Sequence, residues 1–273
     1  MSKPKWLLHF KLSAPPFSKE ISDDDLWLPS SKLDLVDALR EAVHERASVL
    51  LVGDPGVGKT CLLRALRHRL PEVGFRLTYC HNATLGRRDF YRQLCLALGL
   101  SPKATAAAVF YAVSTHVEDL GRERVHPIFL LDEAHLLHQD VLNHLHILLN
   151  YQWDSRALLS LILVGLPELW DRLLLRRNRS LYSRVHHRLA IGPALPEDTA
   201  EYIAYRLGKV GCQRELFSSD AIAMIHESSN GLLRDIDRLG THGLKIAARR
   251  NLKLVDRELV ENILEDEEHR RLG

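Results

Sequence analysis

The segment Gly53–Thr60, GDPGVGKT, limits what this 273-residue chain can fold into more than any other part of its sequence. It matches the pattern G-x-x-x-x-G-K-[ST] without a gap, and it follows an apolar run, ASVLLV at 47–52, that predicts a buried β-strand. Helical periodicity resumes at Lys59. Such a loop directs backbone N–H groups at one point, and the helix dipole adds a positive end. The segment therefore predicts a phosphate-binding loop rather than an ordinary glycine-rich turn.

Two residues of this loop have distinct predicted tasks. Lys59 would reach the β and γ phosphates of ATP or a close nucleoside triphosphate, and the Thr60 hydroxyl would complete the coordination shell of Mg²⁺. The predicted nucleotide contacts are Gly53, Asp54, Pro55, Gly56, Val57, Gly58, Lys59, Thr60 and Cys61.

A second apolar run, at 128–131, ends in the acids Asp132 and Glu133. The run predicts a buried strand, and ligands of open α/β sheets bind at the carboxyl ends of the strands. Asp132 would hold Mg²⁺, directly or through water, and Glu133 would polarise the attacking water. Two acids after a strand can also be solvated loop residues, but the upstream phosphate loop favours the catalytic interpretation.

The order of the predicted elements indicates the fold class. Strands predicted at 47–52, 75–80, 125–131, 157–164 and 189–191 alternate with helical patterns, which is typical of an α/β fold with a parallel sheet. After Pro193 and Pro196 only helical patterns follow. We therefore predict an irregular N-terminal arm at 1–31, an α/β nucleotide-binding domain at 32–192 and a small all-helical lid domain at 193–273. Ser31 is predicted to cap the first helix of the α/β domain.

Charge and hydropathy point to a cytoplasmic protein without a membrane partner. The formal net charge is only +2, and no segment resembles a signal peptide. The longest apolar stretch, at 157–169, is too short to span a bilayer and contains Gly165 and Pro167. The four cysteines fit no zinc module, so we expect buried free thiols. We expect His135, His138, His144 and His146 to be polar surface residues.

With these residues in place, the chain resembles the AAA+ ATPases. More narrowly, it is similar to the ExeA/TniB/TnsC group, whose members include secretion ATPases and transposition regulators. The resemblance rests on the P-loop, on FLLDEAH at 129–135, on PFSKEI at 16–21, on LVGLPEL at 163–169 and on NGLLR at 230–234. It implies a P-loop AAA+ sheet flanked by helices and followed by a helical lid.

The resemblance also implies roles for further residues. Arg234 resembles the sensor 2 arginine, which contacts the γ-phosphate from the lid. Leu166 occupies the position where the family often has a polar sensor 1 residue, so hydrolysis is expected to be slow unless Ser160 or a neighbour replaces it. The arginine that acts on the ATP of the next subunit should precede the last strand, where Arg184 is the first candidate and Arg188 the second. Activity would then depend on a homo-oligomer.

For partners, the resemblance implies a ring or helical filament on double-stranded DNA that recruits or activates a transposase. Hydrolysis would drive disassembly, and this chain shows neither the transmembrane helix nor the peptidoglycan-binding domain of the secretion-type members. The expected DNA contacts, between the second and third strands, are Arg87, Arg88, Lys103 and Thr105. Two alternatives stay open: a helicase-loader-like or adaptor ATPase acting on a protein partner, and a signalling ATPase that uses the nucleotide as a switch.

Overall fold

The computed structural model describes residues 3–71, 73–80, 84–102, 105–152 and 155–272. The strands are β1 (Ser48–Val52), β2 (Phe75–Cys80), β3 (His126–Leu131), β4 (Ser160–Gly165) and β5 (Val185–Ala190). The helices are α1 (Lys5–Phe10), α2 (Leu33–His44), α3 (Lys59–Arg69), α4 (Arg87–Ala97), α5 (Ala106–Arg122), α6 (Gln139–Leu148), α7 (Glu168–Leu174), α8 (Arg179–Tyr182), α9 (Pro196–Lys209), α10 (Ser219–Ser229), α11 (Leu233–Arg249) and α12 (Arg257–Leu272).

The strands form one five-stranded sheet in the order β2-β3-β4-β1-β5, and every pairing is parallel. The predicted α/β class with a parallel sheet and a helical C-terminal part is therefore confirmed. β1 lies between β4 and β5, so both of its faces and both of its edges are covered. This position explains why its sequence is a continuous apolar run rather than an alternating one.

Contacts divide the chain into two compact units. One consists of Asp34–Asp54 and Leu62–Ile191, and the other of Met1–Leu33, Pro55–Cys61 and Gly192–Gly273. In the first unit, the sheet packs against its helices through fully buried side chains such as Leu50, Phe129 and Leu163. Each such side chain contributes about 1.5–3 kcal/mol by leaving water.

The second unit contains the lid helices and the N-terminal segment, which is more ordered than its sequence predicts. The prediction of an irregular arm is wrong at α1, whose Leu7 and Phe10 join the core of the lid helices. Phe17 is also buried there, and Arg206 donates hydrogen bonds to the carbonyl oxygens of Pro16 (2.6 Å) and Ser18 (2.6 Å). The tertiary burial of a few apolar side chains thus stabilises a helix too short to be stable alone.

Three smaller expectations also change. Ser31 does not cap a helix, because it lies in a 3-10 turn and its hydroxyl donates to Asp198 at 2.7 Å. His135 and His144 are not simple surface residues: the side chain of His135 is 9% exposed, and Nδ1 of His144 lies 2.9 Å from the Tyr91 hydroxyl. All four cysteines are free thiols, but of these only Cys95 is fully buried. In the described part of the chain, no helix has the length and apolar character needed to cross a membrane.

Candidate nucleotide-binding site

The phosphate-binding loop begins directly after β1 and ends in the first turn of α3, as its sequence predicts. The Gly53 N–H donates to the Gly165 carbonyl oxygen at 3.2 Å, which extends the β1–β4 ladder into the start of the loop. Gly56 and Gly58 have φ angles of 90° and 101°, a region that residues with a Cβ adopt only at a cost. The loop conformation therefore requires glycine at both positions.

Arg234 lies beside this loop, inside the unit that contains Pro55–Cys61 and the lid. A Cβ placed on Gly56 would lie 3.1 Å from the Cβ of Arg234, and one on Gly58 would lie 3.2 Å from Leu233 Cδ1. Arg234 is in the first turn of α11, and its side chain is exposed. The start of α11 thus packs on the loop glycines, which brings the predicted sensor 2 arginine next to the P-loop backbone.

Asp132 and Glu133 follow β3 at the carboxyl edge of the sheet. The Tyr79 hydroxyl, at the end of β2, donates to Asp132 Oδ2 at 2.8 Å, and the Glu133 N–H donates to Asp132 Oδ1 at 2.9 Å. Burial and the Asp132 carboxylate raise the pKa of Tyr79 far above its usual value, so this hydroxyl stays a donor. Glu133 has a left-handed backbone, with φ 53°, and an exposed side chain. These contacts fix the Asp132 carboxylate and leave that of Glu133 in solvent.

His135 is a site residue that the sequence patterns do not reveal. Its Nδ1 lies 3.5 Å from Glu133 Oε2 and 3.4 Å from the backbone nitrogen of Leu166. Gly165 permits this approach, because a Cβ there would lie 3.1 Å from the His135 nitrogen and 3.2 Å from Nδ1. Arg172 donates to the His135 carbonyl oxygen at 2.5 Å. In the sequence, the position of His135 two residues after Glu133 is only a weak signal that it contacts this site. Its second contact, with Leu166 at the end of β4, arises only in the folded chain.

Ser160 cannot replace the missing polar residue at Leu166. It is the first residue of β4 and therefore lies at the amino edge of the sheet, opposite to the edge reached by Asp132. Its hydroxyl lies 2.8 Å from His126 Nε2 in the buried interior. The expectation that Ser160 stands in for sensor 1 is therefore wrong. His135 is the polar side chain that contacts the backbone of Leu166.

The two candidates for the arginine acting on a neighbouring subunit differ in their surroundings. Arg184 directly precedes β5 and donates to the Ser180 carbonyl oxygen at 3.1 Å. Arg188 lies within β5, its guanidinium is 4.1 Å from the centre of the Tyr182 ring, and it donates to the Tyr182 carbonyl oxygen at 3.3 Å. The stacking of Arg188 on Tyr182 holds it within its own subunit.

The predicted DNA contacts are only partly described. Arg87 and Arg88 open α4 and are exposed. Thr105 caps α5, where its hydroxyl oxygen accepts from the Ala108 N–H at 3.3 Å. Lys103 lies outside the described residues. Thr105 thus has a structural task, and the two arginines are placed where a ligand can reach them.

The chain is similar to several known proteins. Residues 39–173 match the family described as "AAA domain", and the fold is that of the AAA+ P-loop proteins. General secretion pathway protein A of Aeromonas hydrophila is 30% identical over 250 residues, which are 90% of this chain and 46% of that protein. This chain thus spans about half the length of that relative.

Two solved structures share the fold. Cdc6p from Pyrobaculum aerophilum matches with a TM-score of 0.67 and 17% identity, over 86% of this chain and 68% of that one. A chain of the structure titled Drosophila ORC bound to DNA matches with a TM-score of 0.65 and 19% identity, over 96% of this chain and 66% of that one. The narrower resemblance to transposition regulators stays a prediction.

Proposed function

We propose that this protein is an ATP-dependent, self-assembling DNA-binding ATPase that regulates DNA transposition. One observation carries the ATPase part: a complete phosphate-binding loop follows β1, and an Asp-Glu pair follows β3 of the same parallel sheet. Parallel strands end at one edge, so both motifs leave the sheet on the side where ligands of such folds bind.

In the proposed reaction, Lys59 binds the β and γ phosphates, and Thr60 and Asp132 hold Mg²⁺ together with phosphate oxygens and water. Among the described residues, no group of three His, Cys, Asp or Glu side chains is placed to hold a metal ion. Glu133 accepts a proton from water as the water oxygen bonds to the γ-phosphorus. The bond from that phosphorus to the β–γ bridging oxygen breaks, and ADP leaves.

We propose that the remaining charge comes from another copy of the chain. Arg234, beside Gly56, would contact the γ-phosphate in cis. Arg184 precedes the edge strand β5 and is the first candidate for acting on a neighbour's ATP, and Arg188, within β5 and stacked on Tyr182, is the second. Hydrolysis would require a ring or filament, and the apolar Leu166 predicts a slow rate.

The DNA and transposition parts rest on similarity. The fold is shared with a chain whose structure is titled as bound to DNA, and the motifs at 16–21 and 163–169 resemble those of transposition regulators. An assembly repeats each basic side chain once per subunit, so a net charge of +2 per chain suffices for a large total phosphate contact. The expected partners are double-stranded DNA and a transposase.

The ATPase proposal is tested by nucleotide binding and phosphate release with three variants. Lys59→Ala should lose ATP affinity, whereas Glu133→Gln should bind ATP but hydrolyse it at least about 100-fold more slowly. A mixture of Glu133→Gln and Arg184→Ala subunits should regain activity, because an Arg184→Ala subunit keeps an intact Glu133 and receives the arginine of its neighbour. Normal turnover by assembled Arg184→Ala would refute the trans role.

The DNA proposal is tested by anisotropy with a random-sequence duplex and a non-hydrolysable ATP analogue. Binding that needs the analogue and weakens steeply with salt is expected. No binding at low salt would refute it, and co-purification of a helicase or a signalling protein would then support one of the two alternatives. Electron microscopy with and without the duplex would show the ring or filament.

A further inference from the structure

An arginine precedes each of three adjacent strands at the edge of the sheet opposite to the phosphate-binding loop. Arg124 comes just before β3, Arg156 before β4 and Arg46 before β1. The strand order β3-β4-β1 places these amino ends side by side. With neighbouring strands about 4.8 Å apart, the three positions span about 10 Å. We call Arg46, Arg124 and Arg156 the arginine cluster.

The cluster lines three adjoining cavities, of which one, lined by Arg124 and Arg156, also includes Glu118; the other two include all three arginines or Arg46 and Arg156. Of these two, the first, of about 290 Å³, is lined by all three arginines together with Gly121, Val125, His126 and Leu158. The second, of about 350 Å³, shares Arg46 and Arg156 and extends to Arg184 and His186. As far as the chain is described, the residues that line these two cavities include no aspartate or glutamate and no phenylalanine, tyrosine or tryptophan.

The cluster forms no close ion pair with the described residues. None of its three guanidinium groups lies within 4.0 Å of a described carboxylate. Arg122, two residues from Arg124, shows the contrast, because it pairs with Asp119 at 2.5 Å. Burial and the charge of Arg46 lower the pKa of His126 to about 4, so this histidine is neutral near pH 7.

Two of the three arginines end helices. Arg46 and Arg124 have φ angles of 58° and 61°, in the left-handed region that is common at a helix C-terminus. The Ala47 N–H donates to the Ala42 carbonyl oxygen and the Val125 N–H donates to the Leu120 carbonyl oxygen, each at 2.8 Å, which closes the last turns of α2 and α5. These two helix ends thus bring like charges to the edge of the sheet where Arg156 also lies.

We propose that the arginine cluster binds phosphate groups of the duplex DNA backbone, an inference that rests on the proposed DNA-binding function. The planar guanidinium group matches a phosphate in a bidentate manner. Single-strand sites commonly add large aromatic rings for base stacking, and the described lining of these two cavities has no phenylalanine, tyrosine or tryptophan. The contacts would be independent of base sequence, since phosphates carry no sequence information.

The test replaces all three arginines by glutamine and measures affinity for a random-sequence duplex at several salt concentrations, with a non-hydrolysable ATP analogue. Affinity should fall at least about tenfold, and the slope of log K against log salt should become shallower by about 0.9 for each phosphate that the variant no longer neutralises. The triple lysine variant keeps the charges and should bind within a few-fold of wild type. Arg257→Gln is the matched control, because Arg257 pairs with Glu261 at 2.8 Å in the other unit.

Three outcomes would count against the arginine site in different ways. Wild-type affinity and salt slope in the glutamine variant would refute the site while leaving the proposed function intact. Absence of duplex binding by wild type would refute both. Loss of assembly without DNA in the glutamine variant, seen by sedimentation while the lysine variant assembles, would show that the cluster contacts a second copy of the chain and would overturn the proposal.

A second inference comes from His135 and concerns the hydrolysis step of the proposed function. Its Nδ1 lies between the carboxylate of Glu133 and the backbone nitrogen of Leu166, at 3.5 and 3.4 Å. An unprotonated Nδ1 can accept from the Leu166 N–H, whereas a protonated Nδ1 can donate to Glu133. The ring can therefore satisfy one of these partners at a time.

We infer that His135 is a positioning residue that orients Glu133 in place of the polar side chain absent at Leu166. In this structure the Leu166 N–H donates to Nδ1; during hydrolysis the neutral tautomer with the proton on Nδ1 would instead donate to the Glu133 carboxylate and hold it toward the attacking water. Arg172 holds the backbone of His135 by donating to its carbonyl oxygen, and Gly165, which has no Cβ, leaves room for the His135 ring. The side chain of Glu133, which is exposed in this structure, thereby gains one directional contact.

The test compares kcat with the affinity for ATP. His135→Ala should lower kcat at least about tenfold without changing ATP affinity, and His135→Gln, whose amide still donates, should restore most of the rate. In the His135→Ala background, Leu166→Gln should also recover activity. His138→Asn is the matched control, since His138 caps α6 and asparagine is a good cap. Unchanged kcat in His135→Ala, or parallel losses in the alanine and glutamine variants, would overturn the inference.

Discussion

The stability of the unit that contains the lid should fall as the pH rises from about 4.5 to about 7.5, because of Asp237. Burial raises the pKa of this carboxyl group from 3.8 to about 6, although the Tyr202 hydroxyl donates to it at 2.6 Å and the charge of Arg206 favours its ionised form. Between these two pKa values the folded chain binds more protons than the unfolded chain. The free energy of unfolding therefore decreases with pH in this window.

The two pKa values set the size of the effect. At about pH 4.5 the folded carboxyl group is protonated and the unfolded one is largely ionised, and by about pH 7.5 both are ionised. Integration over this interval gives a loss of about 2 kcal/mol of unfolding free energy from this one group. The sign is opposite to that of a carboxylate whose pKa is lowered by folding, and such groups dominate ordinary acid unfolding.

Urea unfolding at both pH values, followed by circular dichroism, measures the effect as a difference between wild type and Asp237→Asn. Asparagine keeps an oxygen that accepts from Tyr202 but does not ionise, so all other titrations cancel in the comparison. Wild type should lose about 2 kcal/mol more than the variant over this interval. Equal losses, or a greater loss in the variant, would refute the claim that Asp237 is protonated in the folded chain.

Two further predictions concern a tight helix contact and a hydrogen bond near Glu133. Gly240→Ala should lower the free energy of unfolding by about 1–3 kcal/mol, because the added Cβ would lie 2.7 Å from Cε2 of the buried Phe17 ring. Gly208→Ala is the control, because a Cβ at Gly208 would meet no atom within 4 Å, so this variant should be as stable as wild type or more stable. Equal unfolding curves for the two variants would contradict the claim that Gly240 is required for packing against Phe17. Arg172→Ala should lower kcat for ATP more than it lowers ATP affinity, because it releases the carbonyl oxygen of His135. Steady-state kinetics checks this, and an unchanged kcat would contradict it.

Much of the fold is encoded in local patterns. The apolar runs at 47–52, 125–131 and 157–164 predict β1, β3 and β4, because a central parallel strand is apolar along its whole length. The alternating pattern at 75–80 predicts the edge strand β2 with the bounds seen in the structure. The last strand begins four residues before its predicted start, at Val185, because His186, His187 and Arg188 break the apolar pattern on an edge strand. An edge strand has one side open to solvent, so its sequence carries a weaker signal.

The failures arise where distant residues decide the local structure. Residues Lys5–Phe10 form a helix because their apolar side chains enter the core of the lid helices, which no local pattern shows. Ser31 has the chemistry of a helix cap but donates instead to Asp198, 167 residues away. The phosphate-binding loop and the acids after β3 are predictable since each combines a motif with a strand end. The environment of Glu133 is not predictable from the sequence, because His135 beside it is positioned by contacts with the end of β4.

The strand order explains why the positions of the phosphate-binding loop and of the Asp132–Glu133 pair both depend on β4, although neither motif lies on that strand. β4 is inserted between β1, which leads into the phosphate-binding loop, and β3, which leads into Asp132 and Glu133. The carbonyl of Gly165 at the end of β4 accepts from Gly53, and the next residue, Leu166, presents its N–H to His135. A displacement of this strand end would therefore move both the start of the loop and the turn that carries Glu133, the proposed base. Gly165 followed by the apolar Leu166 thus leaves room for His135 from the turn after β3, which makes Leu166 compatible with the proposed hydrolysis.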